Sequence, residues 1–117
     1  MNTLLRGHVY WVEIPDEPRR KRRPALVLSP DFRNAHASDV IVVPLSTVIR
    51  FAPTHVRLRR GEAGLKVSSV VKCEQITTLQ KDRLVPKPLG GPLTRARICE
   101  IEKAVLRAIG VMIPLDD

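Results

Sequence analysis

The hydrophobic pattern of this chain changes its period once, and that change limits the fold more than any other feature. Over residues 7–76 the apolar residues form short β-branched and aromatic runs that proline and glycine interrupt, which is typical of short strands. Over residues 95–112 they recur every three or four positions, as on one face of an amphipathic helix. Thr94 is a natural N-cap, and Gly110 is a natural stop after Ile109. The chain is therefore expected to fold as a sheet followed by one long C-terminal helix.

The strand segments differ in the faces that they present. The segments predicted as strands are 8–14, 24–29, 40–46, 54–59 and 69–76, with a last short strand at 111–115. Connections are predicted at 15–23, 31–39 and 60–66, and a turn with a short edge segment at 81–91. The third segment is apolar on both faces, which places it at the centre of the core, and Pro44 indicates a bulge or an edge near its end. A sheet of this size needs cover on its apolar face. We therefore expect a mainly β fold, a small and strongly bent antiparallel sheet or barrel covered by the C-terminal helix.

The length and composition exclude several classes of protein. A chain of 117 residues with 44% hydrophobic and 27% charged residues is expected to form one folded domain over residues 1–117. No apolar run is long enough for a membrane helix or a leader peptide, so we expect a cytoplasmic protein without a membrane partner. Cys73 and Cys99 lack the spacing of metal ligands, and both are expected to be small core residues.

The charge of the chain calls for an anionic partner. It carries 20 Lys and Arg against 12 Asp and Glu, a formal net charge of +8. Five consecutive cations occupy residues 19–23, in a loop that must lie in solvent or on a ligand. Nucleic acid is the first candidate because neutralising phosphates releases condensed counterions, and an acidic protein tail is the second. The alternative is that the charge only keeps the protein in solution.

The residues available for catalysis favour one reaction. The sequence lacks a phosphate-binding glycine loop, a HExxH or GxSxG motif and paired cysteines, so we expect no metal site and no cofactor. Arg, His, Ser, Thr and Glu remain. RNA can be cleaved with such groups alone because its own 2′-OH is the nucleophile, and arginine can pair with two phosphate oxygens.

Five fragments stand in a fixed order along the chain. They are Arg6-Gly7 with Val9–Val12, Arg23–Pro30, Pro44–Thr47, Pro53–Val56, and Ser69–Val71 with Glu74–Ile76. This set resembles the MazF/PemK family of toxin endoribonucleases. The resemblance implies an SH3-like barrel, a homodimer and metal-independent cleavage of single-stranded RNA at short motifs, which inhibits translation and growth. It also implies an antitoxin whose acidic, disordered tail occupies the RNA groove, with operator DNA bound only through the complex.

The resemblance also implies roles for individual residues. The catalytic arginine of the family falls on Arg23, and its hydroxyl partner falls on Ser46, with Thr47 beside it. In the family, the arginine assists proton transfer and stabilises the phosphorane, leaving a 2′,3′-cyclic phosphate and a 5′-OH. Without the resemblance, Arg23 would be read as a solvated charge, and the two hydroxyls as turn-stabilising groups.

A second group of residues is expected to contact the RNA. Its members are Arg19, Arg20, Lys21, Arg22, His55, Arg57, Glu74 and Gln75. His55 is expected to be exposed on a polar strand face, where it would contact RNA rather than act as an acid or base. Glu74 would instead be structural if it tied down an arginine of the basic loop. The loop at residues 16–22 is far more basic than the family pattern, which leaves the cut sequence open.

Two further functions fit parts of the sequence. One is a barrel of the same class that does not cleave RNA, such as a gyrase-poisoning toxin acting through its C-terminal helix. The other is a nucleic-acid-binding domain that uses residues 19–23 as a phosphate clamp. A clamp would need neither Arg23-Pro24 nor Ser46 at a fixed place, so the ribonuclease is favoured. On that reading residues 19–22 set the affinity and its salt dependence, whereas Arg23 sets the rate of the chemical step.

Overall fold

The computed structural model describes residues 3–13 and 22–115. Six strands and two helices make up the regular structure. They are β1 Val9–Glu13, β2 Arg22–Val27, α1 Asp31–His36, β3 Asp39–Ser46, β4 His55–Leu58, β5 Ser69–Lys72, β6 Thr77–Gln80 and α2 Arg95–Ala108. Short 3₁₀ turns lie at Glu62–Gly64, Cys73–Gln75 and Lys81–Arg83. The coarse expectation of a mainly antiparallel sheet with one long C-terminal helix is confirmed.

Strand β3 is the centre of the sheet, as its apolar sequence predicts. The hydrogen-bonded order is β1-β2-β3-β5-β4, all antiparallel, and β6 pairs with the first half of β3. Pro44 is the last residue of β3 that pairs with β2, opposite Ala25. Leu45 and Ser46 pair with β5 instead. Strand β3 therefore changes partner at Pro44, close to the irregularity that a proline near a strand end predicts.

The sheet is buried on both faces, so alternate residues of its strands enter two different cores. On the helix-covered face, Leu26 and Val43 pack with Ile101 and Ala104 of α2. On the opposite face, the buried cluster is Leu4, Tyr10, Val12, Ala25, Val27, Val40, Val42 and Leu84. This alternation follows from the period of two in a β-strand. It also fixes which side chains of β2 and β3 share a face.

Helix α2 follows its sequence signals closely. The Thr94 hydroxyl accepts a hydrogen bond from the Arg97 backbone N–H at 3.2 Å, which satisfies one of the free donors of the first turn. Gly110 follows the helix with φ +96°, a conformation that favours glycine. Ile101 and Ala104 are fully buried. The predicted N-cap and C-terminal stop are confirmed, and Ile98, Ile101 and Val105 of the predicted apolar face pack against the sheet, but Ile109 is 68% exposed.

Two predicted strand boundaries are wrong, and one predicted connection contains a short helix. Arg22 and Arg23 belong to β2 rather than to a loop, since they pair with Glu13 and Val12 of β1. The connection at 31–39 contains the short helix α1. The segment 69–76 is not one strand, because β5 ends at Lys72 and a 3₁₀ turn precedes β6.

One further strand prediction and one burial prediction are also wrong. Residues 111–115 do not form a strand, and Met112 is 95% exposed. Cys99 is exposed on α2, whereas Cys73 is buried as expected. Burial raises the pKa of the Cys73 thiol to about 12, which keeps it protonated. None of the helices in the described ranges is long and apolar enough to cross a membrane.

Candidate active site

The first residue of the candidate site, Arg23, projects into a cleft at the start of β2. Arg23 pairs with Val12 of β1. Because one residue separates Arg23 from Ala25, both side chains lie on the face of the sheet opposite helix α2. The cleft has a volume of about 500 Å³. Its lining includes the apolar residues Val12, Val42 and Leu79 and a polar rim of Glu13, Asp39, Thr77, Thr78, Gln80 and Arg83. Arg22, on the other face, lies 3.7 Å from Glu13 in an exposed ion pair.

The second residue, Ser46, lies on the neighbouring strand and on the same face as Arg23. Pro44 and Ser46 alternate with Val43 and Leu45, which point into the helix-covered core. Pro44 and Ala25 are the last pair between β3 and β2, and Ser46 pairs with Val70 of β5 instead. The Ser46 Oγ accepts the Val48 backbone N–H at 3.1 Å, which stabilises the turn after β3. The hydroxyl thus has the turn-stabilising role that sequence alone suggests.

Thr47 lies in a second groove, on the other side of Pro24. This groove also has a volume of about 500 Å³. It is lined by Trp11, Pro24, Thr47, Gly64, Leu65, Lys66, Val67, Ser69 and Leu89. Pro24 lines both cavities, so the first residues of β2 separate them. Arg23 and Thr47 therefore stand at two adjoining cavities rather than in one pocket.

His55 and Glu74 form a separate cluster at the end of β4. The His55 side chain is only 10% exposed, which corrects the prediction of an exposed histidine. Its Nε2 lies 3.1 Å from Glu74 Oε2, and its Nδ1 lies 3.3 Å from the Arg50 carbonyl oxygen. The Thr54 hydroxyl donates to Glu74 Oε1 at 3.1 Å. Burial acts to raise the pKa of Glu74, but hydrogen bonds from His55 and Thr54 outweigh it and hold that pKa below its usual value.

The other predicted RNA contacts are spread over the surface. Arg57 lines a cavity of about 370 Å³ between β4 and α2, together with His55. This cavity shares no lining residue with the two cavities at Pro24. Gln75 is exposed in the turn before β6. Arg19, Arg20 and Lys21 lie outside the described residues.

Sequence reasoning missed the walls of both cavities at Pro24. Thr77, Thr78 and Gln80 of β6 line the Arg23 cleft, and a strand at 77–80 would have indicated them. Trp11 and Lys66 line the Thr47 groove, although neither carries a motif in the sequence. Among the described residues no three His, Cys, Asp or Glu side chains come together as metal ligands.

Comparisons with known proteins agree on one family. The model of a family described as the PemK-like, MazF-like toxin of type II toxin-antitoxin systems matches residues 5–109. The chain is 32% identical over 114 residues to endoribonuclease MazF4 of Mycobacterium tuberculosis, covering 97% of this chain and 100% of that protein. It is 30% identical over 113 residues to endoribonuclease MazF of Staphylococcus epidermidis, covering 92% of each. A mycobacterial endoribonuclease solved with its cognate antitoxin superposes with a TM-score of 0.79 at 33% identity, covering 95% of this chain and 99% of that one.

Proposed function

This chain belongs to the PemK-like, MazF-like toxin family of type II toxin–antitoxin systems, and we propose on that premise that it cleaves single-stranded RNA at the Arg23 strand. Its relatives in mycobacteria and Staphylococcus epidermidis are endoribonucleases, and the similarity covers nearly their whole length. The growth inhibition expected of a toxin follows from the loss of intact messages. The family fold, an SH3-like barrel, is part of the same proposal.

The observation that carries the proposal is the common face of Arg23 and Ser46. These side chains stand on neighbouring antiparallel strands, two residues beyond the pair Ala25–Pro44. Alternate residues of neighbouring strands point to the same side of the sheet, so both side chains are directed toward the surface that a phosphate would occupy. Strands hold catalytic groups more rigidly than loops do. An exposed clamp would not need a hydroxyl at this register position.

The proposed reaction needs only groups of the chain and of the RNA. The ribose 2′-OH attacks the adjacent phosphorus, its proton is removed, and the bond to the 5′ oxygen of the next nucleotide breaks. That oxygen takes a proton and leaves as a 5′-OH, while the other product ends in a 2′,3′-cyclic phosphate. Arg23 supplies a planar fork for the charge that develops on the phosphate oxygens and assists the proton transfer. Ser46, with Thr47 beside it, holds a phosphate oxygen.

The grooves on either side of Pro24 are the proposed path of the RNA strand. One holds Arg23 with the Thr77, Thr78 and Gln80 rim, and the other holds Thr47 with Trp11. Arg19, Arg20, Lys21, Arg22 and Arg57 would add phosphate contacts, and Gln75 would read a base edge or hold a loop by hydrogen bonds. For His55, which is enclosed, and its exposed partner Glu74, a role in holding the turn at Arg50 is better supported than direct contact with RNA.

The proposed partners follow from the family and from the charge. A mycobacterial relative is solved in complex with its cognate antitoxin. We expect an acidic antitoxin to bind this chain, whose net charge is +8, and to cover the RNA path. A homodimer in the cytoplasm, with operator DNA bound only through the toxin–antitoxin complex, completes the proposal.

The test is cleavage of a long single-stranded RNA in the presence of EDTA, followed by mass spectrometry of the product ends. Arg23→Ala protein, purified in parallel, controls for contaminating nucleases. We expect cutting by the wild type alone, with 2′,3′-cyclic phosphate and 5′-OH ends. No cutting by the wild type contradicts the enzyme and leaves a binding protein. Cutting that EDTA abolishes contradicts the metal-independent mechanism.

A further inference from the structure

One wall of the Thr47 groove comes from a loop with an unusual backbone. Residues 59–67, named here the wall loop, contribute Gly64, Leu65, Lys66 and Val67 to the groove. Gly61 and Gly64 have φ +98° and +82°, and Ala63 between them has φ 55°, the one non-glycine residue with positive φ in the described ranges. Such conformations persist only where the surrounding structure imposes them. The contacts of the wall loop must therefore supply that constraint.

A partly buried ion pair ties the wall loop to helix α2. Arg97 Nε lies 2.8 Å from Glu62 Oε1, and Nη2 lies 3.1 Å from Oε2, so the guanidinium binds both carboxylate oxygens. Both side chains are 24% exposed. Glu62 Oε2 also accepts the Arg59 backbone N–H at 2.7 Å, which closes the loop on itself. A two-point pair of this kind fixes direction as well as distance.

The far side of the wall loop rests on backbone. At Gly64 a Cβ would lie 2.6 Å from Gly90 N, and at Gly90 a Cβ would lie 2.7 Å from Gly64 Cα. The two segments touch without side chains between them. Within the loop, the Gly61 amide donates to the Leu65 carbonyl at 2.7 Å, and the Leu65 amide donates to the Glu62 carbonyl at 2.9 Å. The loop is thus held at Glu62 on one side and at Gly64 on the other.

We propose that Glu62 and Arg97 are positioning residues for RNA binding, because they hold the Lys66–Val67 wall at the distance from Thr47 that admits one RNA strand. The inference rests on the proposed function, since it assigns the groove to the substrate. Lys66 is exposed on this wall and presents its ammonium group to a phosphate in the groove. Neither Glu62 nor Arg97 lines the Thr47 groove, so they act on it through the loop, and Arg97 lines the separate cavity of Arg57 between β4 and α2.

Steady-state kinetics on a short single-stranded RNA, combined with hydrogen exchange of residues 59–67, tests the proposal. The variants are Glu62→Gln and Arg97→Lys, with the charge-reversed double variant Glu62→Arg/Arg97→Glu as the rescue. The matched control is Glu102→Gln, which removes the 2.8 Å pair between α2 and Arg6, outside the wall loop. Thermal unfolding of each variant, measured first, identifies any that do not fold.

The expected result separates binding from chemistry. Loss of a coupled pair corresponds to roughly a tenfold change in an equilibrium constant, so both single variants should raise KM about tenfold and change kcat less than twofold. Exchange at the Gly61 and Leu65 amides should rise, whereas Glu102→Gln should change neither quantity. The double variant should bring KM part of the way back to the wild-type value.

Any other combination of exchange and kinetic results contradicts one step of the proposal. Faster exchange with an unchanged KM shows that the wall moves without affecting RNA, and exchange that stays slow shows that the pair does not hold the loop. A fall in kcat at constant KM places Glu62 in the chemical step instead. If the wild type does not cut RNA, the proposed function fails, and weaker binding of the same RNA to Glu62→Gln than to wild type still supports the positioning role.

Discussion

Replacing Gly64 with alanine should destabilise the protein far more than the same change at Gly61. Both glycines lie in the wall loop with positive φ, +82° and +98°, so both alanines meet the same conformational penalty. At Gly61 no atom lies within 4 Å of the added Cβ. At Gly64 the Cβ would lie 2.5 Å from the Leu89 carbonyl carbon and 2.6 Å from Gly90 N, and closer still to the Leu89 oxygen. Backbone atoms cannot rotate away as a side chain does.

The two costs can be worked out separately. A left-handed conformation costs a non-glycine residue about 1–2 kcal/mol, and the stiffer unfolded chain offsets about 0.4–1 kcal/mol of it. Gly61→Ala should therefore lower the free energy of unfolding by about 0–1.6 kcal/mol. Overpacking at Gly64 adds about 1–3 kcal/mol, for a total of about 1–4.6 kcal/mol. At roughly 4 °C per kcal/mol, the melting temperature should fall by about 4–18 °C for Gly64→Ala.

Urea denaturation of the wild type and both variants measures the difference. All three proteins are compared at one concentration, because the stability of an oligomer depends on it. The urea dependence of the unfolding free energy should stay constant, so that the shift in midpoint reports stability. Equal losses for Gly61→Ala and Gly64→Ala would refute the close contact between the wall loop and the Leu89–Gly90 backbone.

Three further results follow from burial and ionisation. Ile101→Ala should lower the free energy of unfolding by about 3 kcal/mol in urea denaturation, because this fully buried side chain anchors α2; a loss below about 1 kcal/mol would contradict the packing. The Arg97 hydrogen bond holds the pKa of Glu62 below its usual value, so the stabilisation is present above the unfolded pKa and is lost as pH falls through the folded one. Melting temperatures from pH 7 to pH 3 should therefore fall less steeply for Glu62→Gln than for the wild type, and equal slopes would refute the pairing. Iodoacetamide at pH 8 should label Cys99 and leave Cys73 unmodified until the protein unfolds, which mass spectrometry of the native protein checks; labelling of both would contradict the burial of Cys73.

The strongest sequence signals predicted the framework correctly. Helix α2 has a cap, a periodic apolar face and a glycine stop. All three signals act locally, so together they are enough to predict the helix. The central position of β3 followed from its apolar residues on both faces. In both cases local preference and tertiary environment point to the same structure.

The errors arise where tertiary contacts override local pattern. Five consecutive cations predicted a loop, yet Arg22 and Arg23 extend β2 because antiparallel pairing with β1 leaves one face of each open to solvent. The β-like run of residues 69–76 contains a turn at Cys73–Gln75. The sequence does not indicate this turn because its residues have no strong turn preference. Residues 111–115 are apolar, but hydrophobicity alone does not provide a partner strand.

The sequence allowed candidate site residues to be proposed but not their geometry. The resemblance to the MazF/PemK family indicated Arg23 and Ser46, while their common face depends on the register of β2 and β3, which the sequence does not state. The exposure of His55 was misjudged because Glu74, which covers it, comes from a turn 19 residues further along the chain. Apolar and polar residues that alternate in the sequence indicate a strand and its two faces, but they do not show which residues pack against those faces.

The central claim, that Arg23 acts in the chemical step, is tested most directly by single-turnover cleavage of one RNA at saturating enzyme. Arg22→Ala is the matched control, since Arg22 is the adjacent residue of β2 and points to the other face. Removing a group that stabilises transition-state charge typically costs about a hundredfold or more in rate. Arg23→Ala should lose that factor, while Arg22→Ala should keep the rate within about twofold and reduce only the affinity for RNA and its salt dependence. Equal losses in both variants, confined to binding, would contradict the catalytic role and make the protein a phosphate clamp.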